Sequence, residues 1–407
     1  MPELSFVNLL IVVVVSVAAP LLLGYFPRLR LPSVVVEIVA GIVLGPSVLG
    51  LVVIDPPVQV LAVLGLAFLL FLAGLEIDLR RLRGPALRMA GFGYLLTIGL
   101  GLGVGAALSA FGWSSSALLI AIALSATSLG LVIAVLKDTG QENTQVGQTI
   151  IAGATVADFA AIVLLTLFFS MSGRGAGGTL VLLGIFAGLV TLLGLALGRV
   201  GRFMHLGGVL LRLQDSTAEI RVRMSILLLV GFVALVMRFG LEAILGAFLA
   251  GALVSAIDRD SASHPNFRTK LDAIGYGFLV PVFFVSSGVA LDLRGLIAEP
   301  SALLRVPVFL IALLLVRGVP ALLYYRSLGR SATLAAALLQ ATSLPFLVTA
   351  ATIGMQTDFI APTTGAALVC AGLLSVMIFP ALAGSQFPHR VEAAGVQDAV
   401  AMHSEAM

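Results

Sequence analysis

Hydrophobic residues run through this chain in long unbroken stretches separated by short polar ones. Thirteen such segments are read at roughly 5–26, 32–53, 57–76, 87–111, 115–136, 144–171, 179–203, 220–238, 240–257, 268–290, 303–325, 331–353 and 360–384. Most reach the ~20 residues a helix needs to cross a bilayer. Lipid offers no partner to a free backbone N–H or C=O, so each segment is predicted to be helical. The last residues, 385–407, are polar and read as a short loose tail behind a membrane domain over 1–384.

Composition agrees. Of 407 residues, 60% are hydrophobic and 11% charged, against about 25% charged in soluble domains. Such a chain cannot cover a water-facing surface. The 44 glycines suit membrane helices, whose backbones approach closely. Cys370 stands alone, so cysteine offers neither a disulfide nor a metal set. His205, His264, His389 and His403 fall in loops or the tail without metal-ligand spacing. The glycines of GLGLGVG (99–105) lie inside a segment and follow no strand, so they fail as a phosphate loop. No nucleophile–base set is visible either, and neither an enzyme nor a cofactor is expected. The net charge of +3 comes from residues clustered in loops, which argues for membrane topology and against nucleic acid.

Lysine and arginine predict that topology. Eighteen of the 23 lie in the loops after odd-numbered segments or in the tail, four lie on the other side, and Arg317 lies inside a segment. The excess marks the cytoplasmic side. The expected arrangement is a multi-pass protein of the plasma membrane, with the N-terminus outside and the C-terminus in the cytoplasm.

The tetrad Ala-Thr-Ser-Leu occurs twice, at 126–129 in segment 5 and at 341–344 in segment 12. The two segments are seven positions apart in the series, an odd offset, so the two helices run in opposite directions. Matching elements of inverted topology are common in secondary transporters, where paired helices break at mid-membrane and turn their ends toward an ion. Gly130 and Pro345 follow their tetrads at the same offset, and both disfavour continued helix. Thr127, Ser128, Thr342 and Ser343 are therefore candidate site residues.

One acid is plainly deep. Asp158, in TIIAGATVADFAAIVLL, lies about 20 Å into segment 6 at 1.5 Å per residue. A charge there costs at least ~2.5–3.5 kcal/mol and commonly handles ions or protons. A carboxylate binds a cation when ionised or holds a proton when neutral. Thr155 lies one turn away, either as a further ligand or as a structural partner of the acid. Arg317 is the intramembrane base. It could balance Asp158, neutralise the negative ends of broken half-helices, or snorkel to the surface. It cannot carry the transported proton.

The stretches EIVAGIVLGPSVLGL (37–51), LGLAFLLFLAGLEIDLRRLR (64–83), TVADFAAIVLLTL (155–167), LGAFLAGALVSAI (245–257) and VPVFFVSSGVALDL (280–293) resemble the second family of monovalent cation:proton antiporters. That family includes Kef-type potassium efflux systems and NapA-type sodium/proton antiporters. The resemblance covers the membrane domain only. It implies an all-α, NapA/NhaA-like fold of about thirteen transmembrane helices. Inverted repeats at about 87–171 and 303–384 would form a core, with the remaining helices as a dimerisation scaffold. Segments 5 and 12 would be the crossed discontinuous helices. It further implies a homodimer, Asp158 as the ion-binding acid and Arg317 as the core basic residue.

The chain departs from the family at one place. Family members usually carry Asp, Asn or Gln just before the acid, where this chain has Ala157. NapA-type electrogenic members have Asp there and Lys at the basic position. Both differences remove a second proton carrier and imply electroneutral one-for-one exchange. The expected function is a Na⁺/H⁺ or K⁺/H⁺ antiporter in which cation and proton compete for Asp158, with Thr127, Ser128 and backbone carbonyls completing an oxygen shell. Two alternatives are an organic-anion symporter, with Arg317 pairing a carboxylate, and a channel-like K⁺ efflux protein.

Overall fold

The computed structural model describes residues 5–26, 31–76, 85–174, 219–238, 243–257 and 265–387, together with positions 184 and 188. The rest of predicted segment 7, the four histidines and the tail beyond residue 387 lie outside the described residues. Every regular element described is helical. In chain order they are α1 (Val7–Tyr25), α2 (Ser33–Leu44), α3 (Pro56–Leu75), α4 (Pro85–Ala110), α5 (Ala117–Ser125), α6 (Leu129–Asp138), α7 (Gln145–Arg174), α8 (Ile220–Arg238), α9 (Ala243–Ile257) and α10 (Pro265–Ile274). There follow a π-turn (Gly275–Leu279), α11 (Val280–Val289), α12 (Leu293–Ala298), α13 (Pro300–Leu313), a second π-turn (Leu314–Gly318), a 3-10 segment (Val319–Tyr324), α14 (Tyr325–Ala341), α15 (Pro345–Gln356) and α16 (Pro362–Gly384). Nine continuous helical stretches among the described residues are long and apolar enough to cross a membrane, and two shorter apolar helices, at Ser33–Leu44 and Ala243–Ser255, accompany them.

The helices pack as two groups. In one, α2 lies on α11, α3 on both α9 and α11, α8 on α9, and α1 against α2 and α11. In the other, α4 and α5 pack together and on α7, α13 packs on α16, and α14 and α15 both pack on α16. The groups meet where α7 lies on α9, with the rings of Phe159 and Phe248 5.8 Å apart.

Glycine explains why the first group packs so tightly. A Cβ on Gly74 would overlap the carbonyl oxygen of Phe248, and one on Gly251 would overlap that of Phe71. The α2–α11 pair repeats the device, Gly41 seating on Val285 and Gly288 on Ile38. Lipid gives helices no hydrophobic reason to associate, so close backbone contact through small residues supplies the attraction.

Two predicted segments are interrupted, and at the tetrads. Segment 5 divides into α5 and α6, with Ala126–Ser128 non-helical between them. Segment 12 divides into α14 and α15, with Thr342–Leu344 between. The residues expected to break the helices start the next ones instead. Pro345 is the first residue of α15, where its missing N–H costs nothing, and Gly130 is the second residue of α6. The interruptions are thus the Thr-Ser pairs themselves. Arg317 lies in the second π-turn, a local widening of the helix common at functional sites.

Candidate functional site

The two interruptions hydrogen-bond to each other. Ser128 N–H donates to the Thr342 carbonyl at 2.9 Å. Leu344 N–H donates to the Ser128 hydroxyl at 3.0 Å. On the second interruption, Ser343 N–H donates to the Ser375 hydroxyl of α16 at 3.2 Å, and that hydroxyl lies 3.1 Å from the Ser343 carbonyl. A helix end deep in a membrane leaves backbone groups orphaned; here the matching tetrad and α16 take up the groups named. The sequence alignment of the tetrads is therefore also a spatial one.

Asp158 sits against the first interruption. Its Oδ1 accepts from Thr127 N–H and its Oδ2 from Leu129 N–H, both at 3.3 Å. Leu129 opens α6, so the carboxylate occupies the positive end of a half-helix, a ready site for an anionic group. Asp158 is partly exposed, whereas Ala157 beside it is fully buried. Thr155 does not bond the acid; its hydroxyl donates to Ile151 C=O at 2.8 Å, one turn back along α7. Phe159, next in sequence, supplies the ring that meets Phe248 across the two groups. Glu76, at the end of α3, comes within 3.9 Å of where a Cβ on Gly130 would be.

Arg317 is 2% exposed, which removes snorkelling from the three roles open in the sequence. It does not reach Asp158 directly either. Its Nε and Nη2 donate to the Thr127 hydroxyl at 2.9 and 2.7 Å, and its Nη1 donates to the Thr97 hydroxyl at 3.2 Å. Thr127 Oγ1 in turn donates to Gln340 C=O at 2.6 Å, in the last turn of α14. A threonine hydroxyl has one proton and two lone pairs, so that of Thr127 is fully committed. The guanidinium charge reaches the negative end of α14 through this one hydroxyl, the second of the three roles. Thr127 consequently serves both charges: its N–H faces the acid and its hydroxyl the base.

The sequence did not point to several members of this network. Thr97 and Gln340 are buried, at 0% and 2% exposure, and Tyr94 OH lies 3.0 Å from Ser125 Oγ nearby. Gln340 directly precedes the second tetrad, and a buried amide in an apolar run was the signal available for it. Thr342 donates its hydroxyl to Leu338 C=O in the last turn of α14 at 3.1 Å, and Ser343 is fully buried.

Comparison with known proteins bears on this arrangement. Residues 12–384 match the family described as the transmembrane sodium/hydrogen exchanger. The chain belongs to that family. It is similar to the putative Na(+)/H(+) antiporter YjbQ of Bacillus subtilis, with 32% identity over 395 residues, 93% of this chain and 63% of that protein. It is also similar to the glutathione-regulated potassium-efflux system protein KefC of Salmonella typhi, with 28% identity over 378 residues, 89% of this chain and 58% of that one. The exchanger domain thus spans about six-tenths of the length of these two relatives. Among solved structures, the sodium proton antiporter MjNhaP1 of Methanocaldococcus jannaschii superposes with a TM-score of 0.62 over 93% of this chain and 97% of that one, at 19% identity. That likeness establishes the fold, an all-helical membrane protein. The expected antiporter family stands, and it is a family of transporters.

Proposed function

We propose that the protein exchanges a monovalent cation, Na⁺ or K⁺, for a proton across the plasma membrane by alternating access, both ions competing for Asp158. The observation that carries this reading is the placement of a deep, partly exposed carboxylate on the N–H groups of an interrupted helix. The cation is held by Asp158, the Ser128 hydroxyl and carbonyl oxygens released at the interruptions. Thr155 adds an oxygen from the next turn, and Thr127 contributes through its backbone. An all-oxygen shell suits a hard monovalent ion. The YjbQ and MjNhaP1 names support sodium and the KefC name supports potassium.

The inverted repeats are 87–171 and 303–384, and their interrupted segments cross. The group containing α4–α7 and α13–α16 moves against the other along the α7–α9 contact, and that other group, built on α1–α3, α8, α9 and α11, carries the homodimer interface. The loop charges place the N-terminus outside and the C-terminus in the cytoplasm. Stoichiometry follows from charge. With Arg317 permanently positive, the moving group carries the same net charge whether Asp158 holds a proton or a cation. Ala157 adds no second proton site. Exchange is therefore one for one and electroneutral. An organic-anion symporter would need Arg317 open to a carboxylate, and its 2% exposure disfavours that reading.

The test is proton flux in proteoliposomes holding a pH gradient. Na⁺, K⁺, Li⁺ and choline are added in turn, with and without valinomycin and matched K⁺ to clamp the voltage. Alkali cations but not choline dissipate the gradient, the clamp leaves the rate unchanged, and Asp158→Asn abolishes it. Cation-dependent flux in Asp158→Asn would reject the site.

A further inference from the structure

Arg317 carries five N–H donors, and its three hydrogen bonds end on two hydroxyls of different segments. Thr127 belongs to the first interruption. Thr97 is in the middle of α4 and fully buried. The Thr97 hydroxyl spends its proton on Gly93 C=O at 3.0 Å, in its own helix, which turns a lone pair toward the guanidinium. Gly93 to Thr97 is one helical turn, so this acceptor is locked to the α4 backbone. Among the described residues, no ion pair joins Arg317 to Asp158, although the same Thr127 touches both. A buried guanidinium released from α4 would be free to turn toward the nearest carboxylate, because charge pairing is strong in a low-dielectric interior.

We propose that Thr97 is a positioning residue for exchange: it holds Nη1 of Arg317 on α4, keeping the guanidinium on the carbonyl end of α14 and off the Asp158 carboxylate. The carboxylate then remains free to take a cation or a proton. This rests on the reading of Asp158 as the exchange site. The other titratable groups near the pair are Tyr94 on α4 and Tyr324 in the 3-10 segment, which interact with Arg317, and Glu76 at the end of α3, which interacts with Asp158. All three side chains are left unchanged in the variants below.

The test is Thr97→Val, which keeps the volume and removes the hydroxyl, measured as cation-dependent proton flux in proteoliposomes. An arginine drawn onto Asp158 competes with both ions. The KM for the cation is expected to rise about tenfold, and the midpoint of the pH profile to move about one unit toward acid, because a neighbouring positive charge favours the ionised carboxylate. The maximal rate should fall much less. Thr97→Ser restores the hydroxyl and should restore both values. If the valine variant fails to accumulate in the membrane, Thr97→Ala is read in the same way. Parental KM and midpoint in a folded Val or Ala variant, or a lower maximal rate with both unchanged, would overturn the proposal and leave Thr97 a packing residue. Asp158→Asn is run alongside. Retained exchange there would remove the site reading itself, whereas an inactive Asp158→Asn with a parental Thr97→Val removes only the role of Thr97.

Discussion

Gly251→Ala adds one methyl group where α9 touches α3. That Cβ would overlap the Phe71 carbonyl oxygen and stand 2.9 Å from Leu75 N. Both neighbours are backbone and cannot swing aside. Ordinary carbon–oxygen contacts across helix pairs lie near 3.3–3.6 Å, so the helices must part by roughly 1.5 Å. Even a gap of about 0.5–1 Å forfeits about a quarter to a half of each facing dispersion contact, and this one is larger. Overpacking of this kind costs roughly 1–3 kcal/mol. Against it stands a gain of at most about 1 kcal/mol from alanine's better helix propensity. The loss wins. A control separates the two effects: Gly103 in α4 has nothing within 4 Å of its Cβ position, so Gly103→Ala keeps only the gain. Heating detergent-solubilised protein and following its monodisperse fraction by size-exclusion fluorescence ranks the variants. Gly251→Ala is expected to fall clearly below the parent and Gly103→Ala at or above it. Because one separation relieves both reciprocal contacts, adding Gly74→Ala to Gly251→Ala should cost less than Gly74→Ala alone. Equal melting of Gly251→Ala and Gly103→Ala would refute the packing argument.

Two further expectations concern the site. Ser128→Ala leaves Leu344 N–H without its acceptor, and an orphaned buried donor costs about 1–3 kcal/mol; lower melting with a raised cation KM is expected, and parental values for both would show that the tetrad contact carries neither stability nor binding. Phe159→Ala removes the ring that meets Phe248 beside Asp158. It should let a pH gradient decay in choline medium without alkali cation, and a gradient as durable as the parent's would deny that this ring pair seals the seam.

Much of the candidate site is legible in the sequence because membrane segments tolerate so few polar groups. Asp158 and Arg317 stood out against an apolar background, and the repeated tetrad announced both interruptions. The details of connection were not legible. Thr97 reads like any small polar residue in a membrane helix, and nothing in its local pattern says that it meets Arg317, 220 positions away. Thr127 was expected as an ion ligand from its place in the tetrad, but its hydroxyl is taken up by Arg317 and Gln340. Only three-dimensional bond counting reveals that. The π-turn at Leu314–Gly318 has no sequence signature either, since an apolar run reads the same whether the helix widens or not. Gly130 and Pro345 were read by propensity as breakers, whereas a first helical turn tolerates them.

The paired interruptions also impose an order on biosynthesis. The second tetrad follows the first by 215 residues, which at 5–20 residues per second is roughly 10–40 s of translation. For that interval α5 and α6 exist without Thr342 and Leu344, and Ser128 N–H lacks the carbonyl it will bond. The nascent first half therefore lacks the partner of at least this backbone donor until the second half is inserted. Assembly of this protein is a closing of two incomplete halves rather than the accretion of finished helices. Residues 1–257 and 258–407 produced as separate chains should consequently need one another in the same membrane to become resistant to proteolysis.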